Sequence, residues 1–402
     1  MSISSNFNSF SDITQSSKNK KIVLFGAGEI AKKTIQRLDD KPSFIVDNNP
    51  NMQSIIDNDL EVKNPEILLN LKNETVIIIC TTSFDEVSNQ LTQMGYKKGK
   101  NFFNSPIMND LLIIEKLAGI NTEIIFSSGA PSNESPDYGG GIYKLSIRGN
   151  NHKLEKKING TSHGIIKLDN YYIASNHEHG IIKFDSNFNI EKKISLPNGS
   201  RPHGICFSKV SRKYYVVASY RDSFFVINEN FELEKEVFIS KKFSSEGEPA
   251  HHCNDICTKD NSIYISMFSS SGNWKNDVFD GCIMEFDLNS MECIGNTKDN
   301  LWMPHNVSFI DGGLVVLDSL RGHLLKNNLR KTGEFPGFTR GLYYDGSLFF
   351  IGQSRNRNFS KYLGDSLNIS IDTSIIIFDE KTKVSRSIQL DSRISEIHSI
   401  IA

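Results

Sequence analysis

The stretch WMPHNVSFIDGGLVVLDS (302–319) and the nearby EFPGFTRGLYYDGSLFFIGQS (334–354) contain two copies of one local pattern. In each copy a turn marked by Pro or Gly leads to a polar residue, His305 or Arg340. A short apolar run, a Gly turn and a second, more apolar run follow. Short β-rich runs separated by Gly turns predict antiparallel strands rather than helices.

Four more copies begin at Thr161, Arg201, His251 and, at the C-terminal end, Glu396. The residues in register are His163, His203, Asn254, His305, Arg340 and His398. Successive members lie 40, 51, 51, 35 and 58 residues apart. This spacing is close to the roughly 40–50 residues of a propeller blade.

Two further strand-like runs follow each of the first five copies, which gives four strands per unit. The last copy contains one strand, His398–Ala402, and the three strands it lacks are found in Thr122–Ser128, Gly140–Ile147 and Lys153–Ile158. We therefore predict an all-β, six-bladed propeller over residues 120–402. The C-terminal strand is expected to close it, which would remove an exposed sheet edge.

The N-terminal part has a different organisation. A strand-like run, KIVLFG (21–26), leads into the turn Gly26-Ala27-Gly28, a helical run and a second strand that ends at Asp47. This order is typical of a dinucleotide-binding βαβ unit, in which glycines allow close backbone approach to a phosphate and an acid reaches a ribose hydroxyl. We predict an α/β Rossmann-like parallel sheet over residues 20–119. Its candidate cofactor-binding residues are Gly26, Gly28, Glu29, Ile30 and Asp47. The alternative is a packing module with an empty pocket.

Composition restricts the partners. The chain has 47 acidic and 45 basic residues and a formal net charge of −2, which argues against nucleic acid or an anionic membrane surface as a partner. No apolar run reaches the roughly 20 residues of a membrane span. The Ser/Asn-rich residues 1–19 lack a secretion signal and are expected to form a disordered tail. With the six cysteines predicted mostly inside strands, we expect a cytoplasmic protein.

The residues in register should converge, because the innermost strands of a propeller line its central channel. Neutral imidazoles from several blades suit a divalent metal ion. The candidate metal ligands are His163, His203, His305 and His398, and the candidate catalytic residues are His252, Arg340 and His305. The alternative is that these polar residues only form hydrogen bonds between blades. Nucleophile-elbow, P-loop and H-E-x-x-H motifs are absent from the sequence.

Charged loops are predicted at the same mouth of the channel. Their arginines would suit carboxylate or phosphate groups, so we expect a small-molecule substrate that is anionic or sugar-derived. The arginines are Arg221, Arg321, Arg340, Arg355 and Arg357, and the acids are Glu246, Glu248 and Glu396.

Two resemblances add to this reading. The GAG turn, the D-N-N-P motif at 47–50 and the N-P-E-I-L motif at 64–68 resemble the small Rossmann-like domains attached to bacterial sugar-modifying enzymes. That resemblance implies a nucleotide-linked sugar, not NAD, as the ligand. NAD, expected from the βαβ pattern, and a nucleotide sugar are therefore both candidate ligands of this unit. The P-H, P-G-F-T-R-G-L and terminal E-I-H-S-I segments resemble a family of uncharacterised bacterial six-bladed propeller proteins, which implies the fold and no reaction.

Three functions follow as hypotheses. The first is a sugar- or nucleotide-sugar-modifying enzyme of surface-glycan metabolism, a lyase, hydrolase or epimerase, with its site at the His/Arg-lined mouth and a divalent metal ion as cofactor. The second is a non-catalytic binding or scaffold propeller with a vestigial Rossmann domain. The third is an NAD-linked oxidoreductase that uses both domains.

Overall fold

The computed structural model describes residues 9–53, 56–57, 60–129, 138–242, 249–355 and 368–402. Within it the chain separates into two compact units, Met1–Lys116 and Leu117–Ala402. Among the helices in these described ranges, none is long and apolar enough to cross a membrane.

The first unit contains a six-stranded sheet of order β3-β4-β2-β1-β5-β6, in which five strands are parallel and β3 is antiparallel to β4. Its strands are β1 Lys21–Phe25, β2 Phe44–Val46, β3 Ile56–Asp57, β4 Leu60–Lys63, β5 Thr75–Ile79 and β6 Phe102–Asn104. The α-helices among the described residues are α1 Phe10–Ser16, α2 Glu29–Ile35, α3 Phe84–Gln93 and α4 Asn109–Ala118. The strands are almost entirely buried apolar runs, as expected of a parallel sheet.

Part of the segment over residues 1–19, for which we expect a disordered tail, is helical in the structure. Residues 10–16 form α1, which Ser9 and Asp12 start with a reciprocal capping box. Ile13 is fully buried in the same apolar cluster as Ile22 and Leu24 of β1, so burial stabilises a segment whose composition predicted disorder. Residues 1–8 lie outside the described part of the chain.

The second unit is a six-bladed β-propeller of four-stranded antiparallel sheets. Blade 6 contains β7 Asn121–Ser128, β8 Gly141–Arg148 and β9 Asn151–Asn159, and blade 1 contains β10 Ser162–Leu168, β11 Tyr171–Asn176, β12 Gly180–Asp185 and β13 Ile190–Ile194. Blade 2 contains β14 Pro202–Ser208, β15 Lys213–Ala218, β16 Ser223–Ile227 and β17 Leu233–Phe238.

Blade 3 contains β18 Cys253–Lys259, β19 Ser262–Met267, β20 Gly281–Asp287 and β21 Cys293–Leu301. Blade 4 contains β22 His305–Ile310, β23 Gly313–Asp318, β24 His323–Lys326 and β25 Arg330–Glu334. Blade 5 contains β26 Phe338–Tyr344, β27 Phe349–Ser354, β28 Ser374–Phe378 and β29 Ser385–Gln389. The last strand, β30 Ser399–Ile401, pairs antiparallel with β7 of blade 6, with Ile401 opposite Ile125.

The apolar core lies between neighbouring blades. Ile173 and Ile181 of blade 1 share a buried cluster with Val216 and Phe225 of blade 2. Burial of such a side chain contributes about 1.5–3 kcal/mol to folding stability. The side chain is buried only when the next blade covers the face of the sheet on which it lies. The first strands pack against one another in chain order, and β30 packs against both β26 and β10.

Candidate functional site

The six residues in register, here called the register set, are all buried at the entry to the first strand of their blades. Their exposed fractions are 2% for His163, 4% for His203, 0% for Asn254, 2% for His305, 7% for Arg340 and 7% for His398. Polar side chains of this kind are rarely buried without partners, so their shared burial marks a specialised region.

A local irregularity recurs where these residues lie. The pairing register shifts between Ser162 and Ile165 in β10 and between Pro202 and Ile205 in β14. The same shift occurs at the start of β18, β22 and β26. A bulge bends a strand and changes the direction of the side chain it contains. The repeat therefore aims the same position of each of these blades in a corresponding way.

Three imidazoles of the register set come together. One ring nitrogen of His163, one of His203 and one of His398 lie within 4.8 Å of one another. The His163 ring is centred 3.8 Å from that of His203 and 4.0 Å from that of His398. These residues belong to blades 1, 2 and 6, so the cluster depends on the position of the C-terminal segment.

Hydrogen bonds indicate which nitrogens are available. The Nε2 atom of His398 lies 2.9 Å from Glu396 Oε2. An ionised carboxylate only accepts, so Nε2 carries the proton and the lone pair of His398 is on Nδ1. His163 Nδ1 and His203 Nε2 are buried and have no hydrogen-bond partner among the described residues. Buried imidazole nitrogens left without partners are costly unless something else occupies them.

The histidines here are neutral at physiological pH. Burial lowers the pKa of His163, His203 and His305 well below the ordinary 6.5. Burial also lowers the pKa of His177 and His252 to about 3. The pKa of His398 falls to about 4 because burial outweighs the opposing effect of Glu396. Neutral imidazole is the form that binds a metal ion.

The spacing suits a transition-metal ion. Zinc–nitrogen bonds of about 2.0–2.1 Å place tetrahedral ligand atoms about 3.3 Å apart. The three nitrogens lie within 4.8 Å of one another, so metal binding would draw the farthest pair together by up to about 1.5 Å. Three protein ligands with one position left open are the pattern of catalytic rather than structural zinc sites.

A second set of residues lies two positions before each member of the register set, and we call it the entry set. Its members are Thr161, Arg201, His252, Met303, Phe338 and Glu396. They fall into a polar half, from blades 6, 1 and 2, and a largely apolar half, from blades 3, 4 and 5. The two halves are built differently.

The apolar half is covered. Met303 and Phe338 are 1% and 2% exposed and pack with Phe268 and Leu320. The ring of His252 is centred 4.4 Å from that of Phe268 and 5.0 Å from that of Trp274. Access from this side is therefore blocked by apolar side chains.

The polar half opens into a pocket of about 630 Å³. Its lining comes from blades 6, 1 and 2 and the connections between them, and includes Gly129, Thr161, His177, Glu178, Arg201, Tyr220 and Glu396. A Cβ on Gly129 would lie 2.5 Å from His163 Nε2 and 2.6 Å from His398 Nε2. The absence of a side chain at Gly129 thus leaves room for the Nε2 edges of these two rings beside the pocket, and in His398 this edge carries the proton rather than the lone pair.

The charges at the mouth are unevenly paired. Arg340 Nη2 lies 3.7 Å from Glu396 Oε1, and both side chains are buried. Arg201 instead donates a hydrogen bond to the hydroxyl of Tyr220, over whose ring its guanidinium carbon lies 4.4 Å from the centroid. Its backbone adopts φ 44°, a strained conformation for a non-glycine residue.

The predicted site residues are only partly brought together. His305 does not join the three nitrogens, because its Nδ1 bonds Met303 O at 3.0 Å and Ser319 Oγ at 2.9 Å. Its ring centre lies 6.3 Å from that of His398. The geometry brings together three of the four candidate metal ligands. The ring of His252, which belongs to the apolar half, is centred 6.0 Å from the ring of His203.

Most of the arginines expected to form a charged rim are bound to other residues of the protein. Arg221 pairs with Glu236 at 2.6 Å, Arg321 with Asp318 at 3.0 Å, and Arg355 bonds Ser392 O at 2.7 Å. Glu246, Glu248 and Arg357 lie outside the described residues. Sequence reasoning missed Arg201 as the pocket guanidinium. Its position, two residues before the histidine in register, is the signal that would have found it.

The candidate cofactor-binding residues lie at one end of the parallel sheet. Gly26 adopts φ 105°, and a Cβ there would meet the carbonyl oxygen of Cys80 at 2.9 Å. Gly28 has open space around its Cβ position. Asp47 accepts hydrogen bonds from the backbone of Ala27 and Asn49, each at 2.8 Å. Glu29 and Ile30 begin α2.

Comparison with protein families gives two matches. Residues 150–402 match the family described as "Domain of unknown function (DUF4915)". Residues 18–102 match the family described as "C2185-like, N-terminal". No curated protein matches the chain.

Two solved structures resemble the chain in shape. One is described as "Crystal structure of Nidogen/Laminin Complex", with 13% identity, a TM-score of 0.49 and coverage of 69% of this chain and 96% of the other. The second is a protein of unknown function from Bacteroides caccae, with 11% identity, a TM-score of 0.47 and coverage of 70% and 98%. At this level of similarity neither carries an argument about function.

Proposed function

The chain belongs to the family described as "Domain of unknown function (DUF4915)", and from this premise we propose that it is a metal-dependent enzyme acting on a small polyhydroxylated molecule. The proposed metal is a divalent transition-metal ion held by His163, His203 and His398. The proposed substrate site is the pocket of about 630 Å³ that Gly129, Glu178 and Tyr220 help to line.

One observation supports this proposal above the others. Three neutral imidazole nitrogens from three blades converge within 4.8 Å beside the open half of the channel mouth. Histidines kept only for structure would have their buried nitrogens paired, as His305 Nδ1 is with Met303 O and Ser319 Oγ of its own blade. His163 Nδ1 and His203 Nε2 lack such partners among the described residues.

The surrounding residues would have distinct roles. A bound metal ion would supply Lewis acidity at a substrate oxygen or a bound water. Glu396 would fix the ring of His398 by accepting a hydrogen bond from its Nε2–H, as carboxylates behind ligating histidines do at metal sites. Arg340 would hold Glu396 in place through their buried ion pair.

The pocket lining suggests the kind of substrate. It combines a hydroxyl, an amide and a carboxylate from Thr161, Asn198 and Glu178 with the half-exposed ring of Tyr220. Hydroxyl groups of a sugar-like molecule would find both donors and acceptors here, and an aromatic ring suits a sugar face.

We also infer that β30 closes the propeller. Its pairing with β7 and its packing against β26 and β10 support this inference. Closure would give His398 its fixed place beside His163, although the two residues lie 235 positions apart in the sequence. A metal site built in this way would form only after β30 had paired with β7.

A second candidate function concerns the first unit. We propose that it is Rossmann-like and binds NAD or a nucleotide sugar at the turn Gly26–Gly28. The open space at Gly28 and the position of Asp47 beside the turn support this proposal.

Metal analysis of the purified full-length protein tests the main proposal. We expect about one Co²⁺ or Zn²⁺ ion per chain, with visible d–d absorption from bound Co²⁺. His163→Ala and His203→Ala should lower affinity by at least 100-fold. His152→Ala is the matched control, since His152 lies on the outer strand β9 and is exposed.

Two results would count against the proposal. One is tight metal binding that survives both substitutions, which would place the ion elsewhere. The other is the lack of any bound metal with full folding retained, which would favour a binding propeller whose histidines are structural.

A further inference from the structure

The guanidinium of Arg201 is unusual among the arginines of the propeller. Arg212, Arg221 and Arg393 each pair with a carboxylate at 2.6–2.7 Å. Among the described residues Arg201 forms no ion pair, and its side chain contacts Tyr220 instead. It is half-buried and lines the pocket.

Arg201 lies beside the imidazole cluster. It precedes His203 by two residues. It lines the same pocket as Gly129, at which a Cβ would lie 2.5 Å from His163 Nε2 and 2.6 Å from His398 Nε2. A cation bound by the three imidazoles would therefore experience repulsion from its guanidinium.

The site becomes positive once a metal ion is added. Its two carboxylates, Glu396 and Glu178, equal in number its two guanidinium groups, Arg340 and Arg201, so a divalent ion leaves a net charge of about +2. A cation beside a metal centre weakens metal binding unless an anion lies between them. The missing negative charge would come from the ligand.

The backbone holds Arg201 in this place. Its φ of 44° is strained, and the next residues Pro202 and His203 enter β14 at once. The same left-handed conformation recurs at the equivalent positions His252 and Met303, with φ 52° at each, so it belongs to the repeat and sets the direction in which the Arg201 side chain leaves the backbone. The Tyr220 ring and hydroxyl fix the plane of the guanidinium, which leaves its other edge for a planar, two-oxygen partner.

We infer that the substrate carries a carboxylate or phosphate group that Arg201 binds in the pocket, with a neighbouring oxygen of the same molecule directed at the three-imidazole centre. This inference rests on the proposed function. Arg201 is then the residue that selects anionic over neutral sugar-like molecules.

The test uses full-length Co²⁺-loaded protein and three probes: glucuronate, glucose 6-phosphate and neutral glucose. Binding is measured by calorimetry and by the change in visible absorption of the metal. We expect at least one anion to bind ten-fold or more tightly than glucose and to perturb the spectrum. The stronger of the two anions distinguishes a carboxylate from a phosphate substrate.

Substitutions at Arg201 give the decisive comparison. Arg201→Gln should remove the preference for the anion while metal content stays at the wild-type level, and Arg201→Lys should recover part of it. Arg212→Gln is the control, because Arg212 is an exposed arginine of the same blade paired with Glu229. It should bind as the wild type does.

The outcomes separate this inference from the proposed function. An anion preference unchanged in Arg201→Gln, or no binding of either anion at millimolar concentration, overturns the inference while the metal result stands. An Arg201-dependent anion preference in protein that takes up no metal supports anion recognition and overturns the metal-dependent function.

Discussion

The imidazole of His163 stacks on that of His203, with ring centroids 3.8 Å apart and planes inclined by 20°. The two residues occupy the same position of neighbouring blades, and both rings are buried. Two charged rings at this distance without water would repel strongly, so the stack requires both to be neutral. This requirement connects the stability of the fold with the availability of the proposed metal ligands.

Stability in the presence of a chelator should fall as pH falls below about 6.5. The folded-state pKa values of these histidines are depressed, so below the unfolded value of about 6.5 the unfolded chain binds protons that the folded chain does not. Each such histidine lowers the free energy of unfolding by up to about 1.4 kcal/mol for every pH unit of acidification. The effect ends when the pH reaches the folded-state pKa of the group, near 3 for His177 and near 4 for His398.

Asp222, Asp255 and Asp318 act in the opposite direction, because burial raises the pKa of each, that of Asp255 to about 6. Six histidines around the channel mouth have a lowered pKa, so their effect exceeds that of the three carboxyls. Urea unfolding between pH 5 and 8, in wild type and His203→Gln, measures the slope; an equal slope in the two proteins would contradict the prediction.

Gly164→Ala should destabilise the junction between blades 1 and 2 by about 1–3 kcal/mol. The added Cβ would lie 2.6 Å from His203 O and 2.7 Å from Ile205 N, both backbone atoms that cannot move independently. Gly313→Ala is the matched control, since its Cβ would meet only Ile310 O at 3.7 Å. Equal thermal stability of the two variants would refute this reading of the junction.

Ile400→Ala should lower the free energy of unfolding by about 2–5 kcal/mol, the usual range when a large apolar side chain in the core is replaced by alanine. Ile400 is 2% exposed in the strand that pairs with β7, opposite Phe126. Ile371→Ala, at a residue that is 61% exposed, is the control and should change little. Chemical unfolding followed by intrinsic fluorescence compares them; a neutral Ile400→Ala would mean that β30 contributes little to propeller stability.

Glu396→Gln should weaken metal binding about 10- to 100-fold, the usual effect of removing a carboxylate behind a ligating histidine. The reason is the 2.9 Å contact between Glu396 and His398 Nε2, which orients the ring and increases its basicity. The exposed Glu334→Gln is the control. Competition with a chromogenic chelator gives both affinities, and identical values would assign Glu396 another role.

Asp47→Ala should reduce binding of NAD or of a nucleotide sugar to the first unit by at least ten-fold. Asp47 accepts from the backbone N–H of Ala27 inside the glycine turn, so its loss would affect both the turn and a ribose contact. Titration of the full chain with NAD and with a UDP-sugar identifies the ligand class. Lack of binding by the wild type would leave the unit as a packing module.

The repeat and its register could be predicted from the sequence because the first strand of every blade packs in the same way. Every first strand needs an apolar run beside its neighbour, and a polar residue precedes that run at His163, His203 and His305. The same packing requirement in each blade produces a repeated sequence pattern. The six blades and the buried histidines were predicted from this pattern. The helix at Phe10–Ser16 was missed because its stability comes from burial of Ile13, which composition does not report.

The sequence by itself determined the six-fold repeat, the parallel sheet that precedes it, and the positions that enter the channel. Only the tertiary structure decided which of those positions meet. His163, His203 and His398 meet, and His305 does not, because bulges and neighbouring hydrogen bonds fix each side-chain direction. Only the fold separated an open polar half of the mouth from a covered apolar half, since that division depends on which distant side chains pack over each entrance.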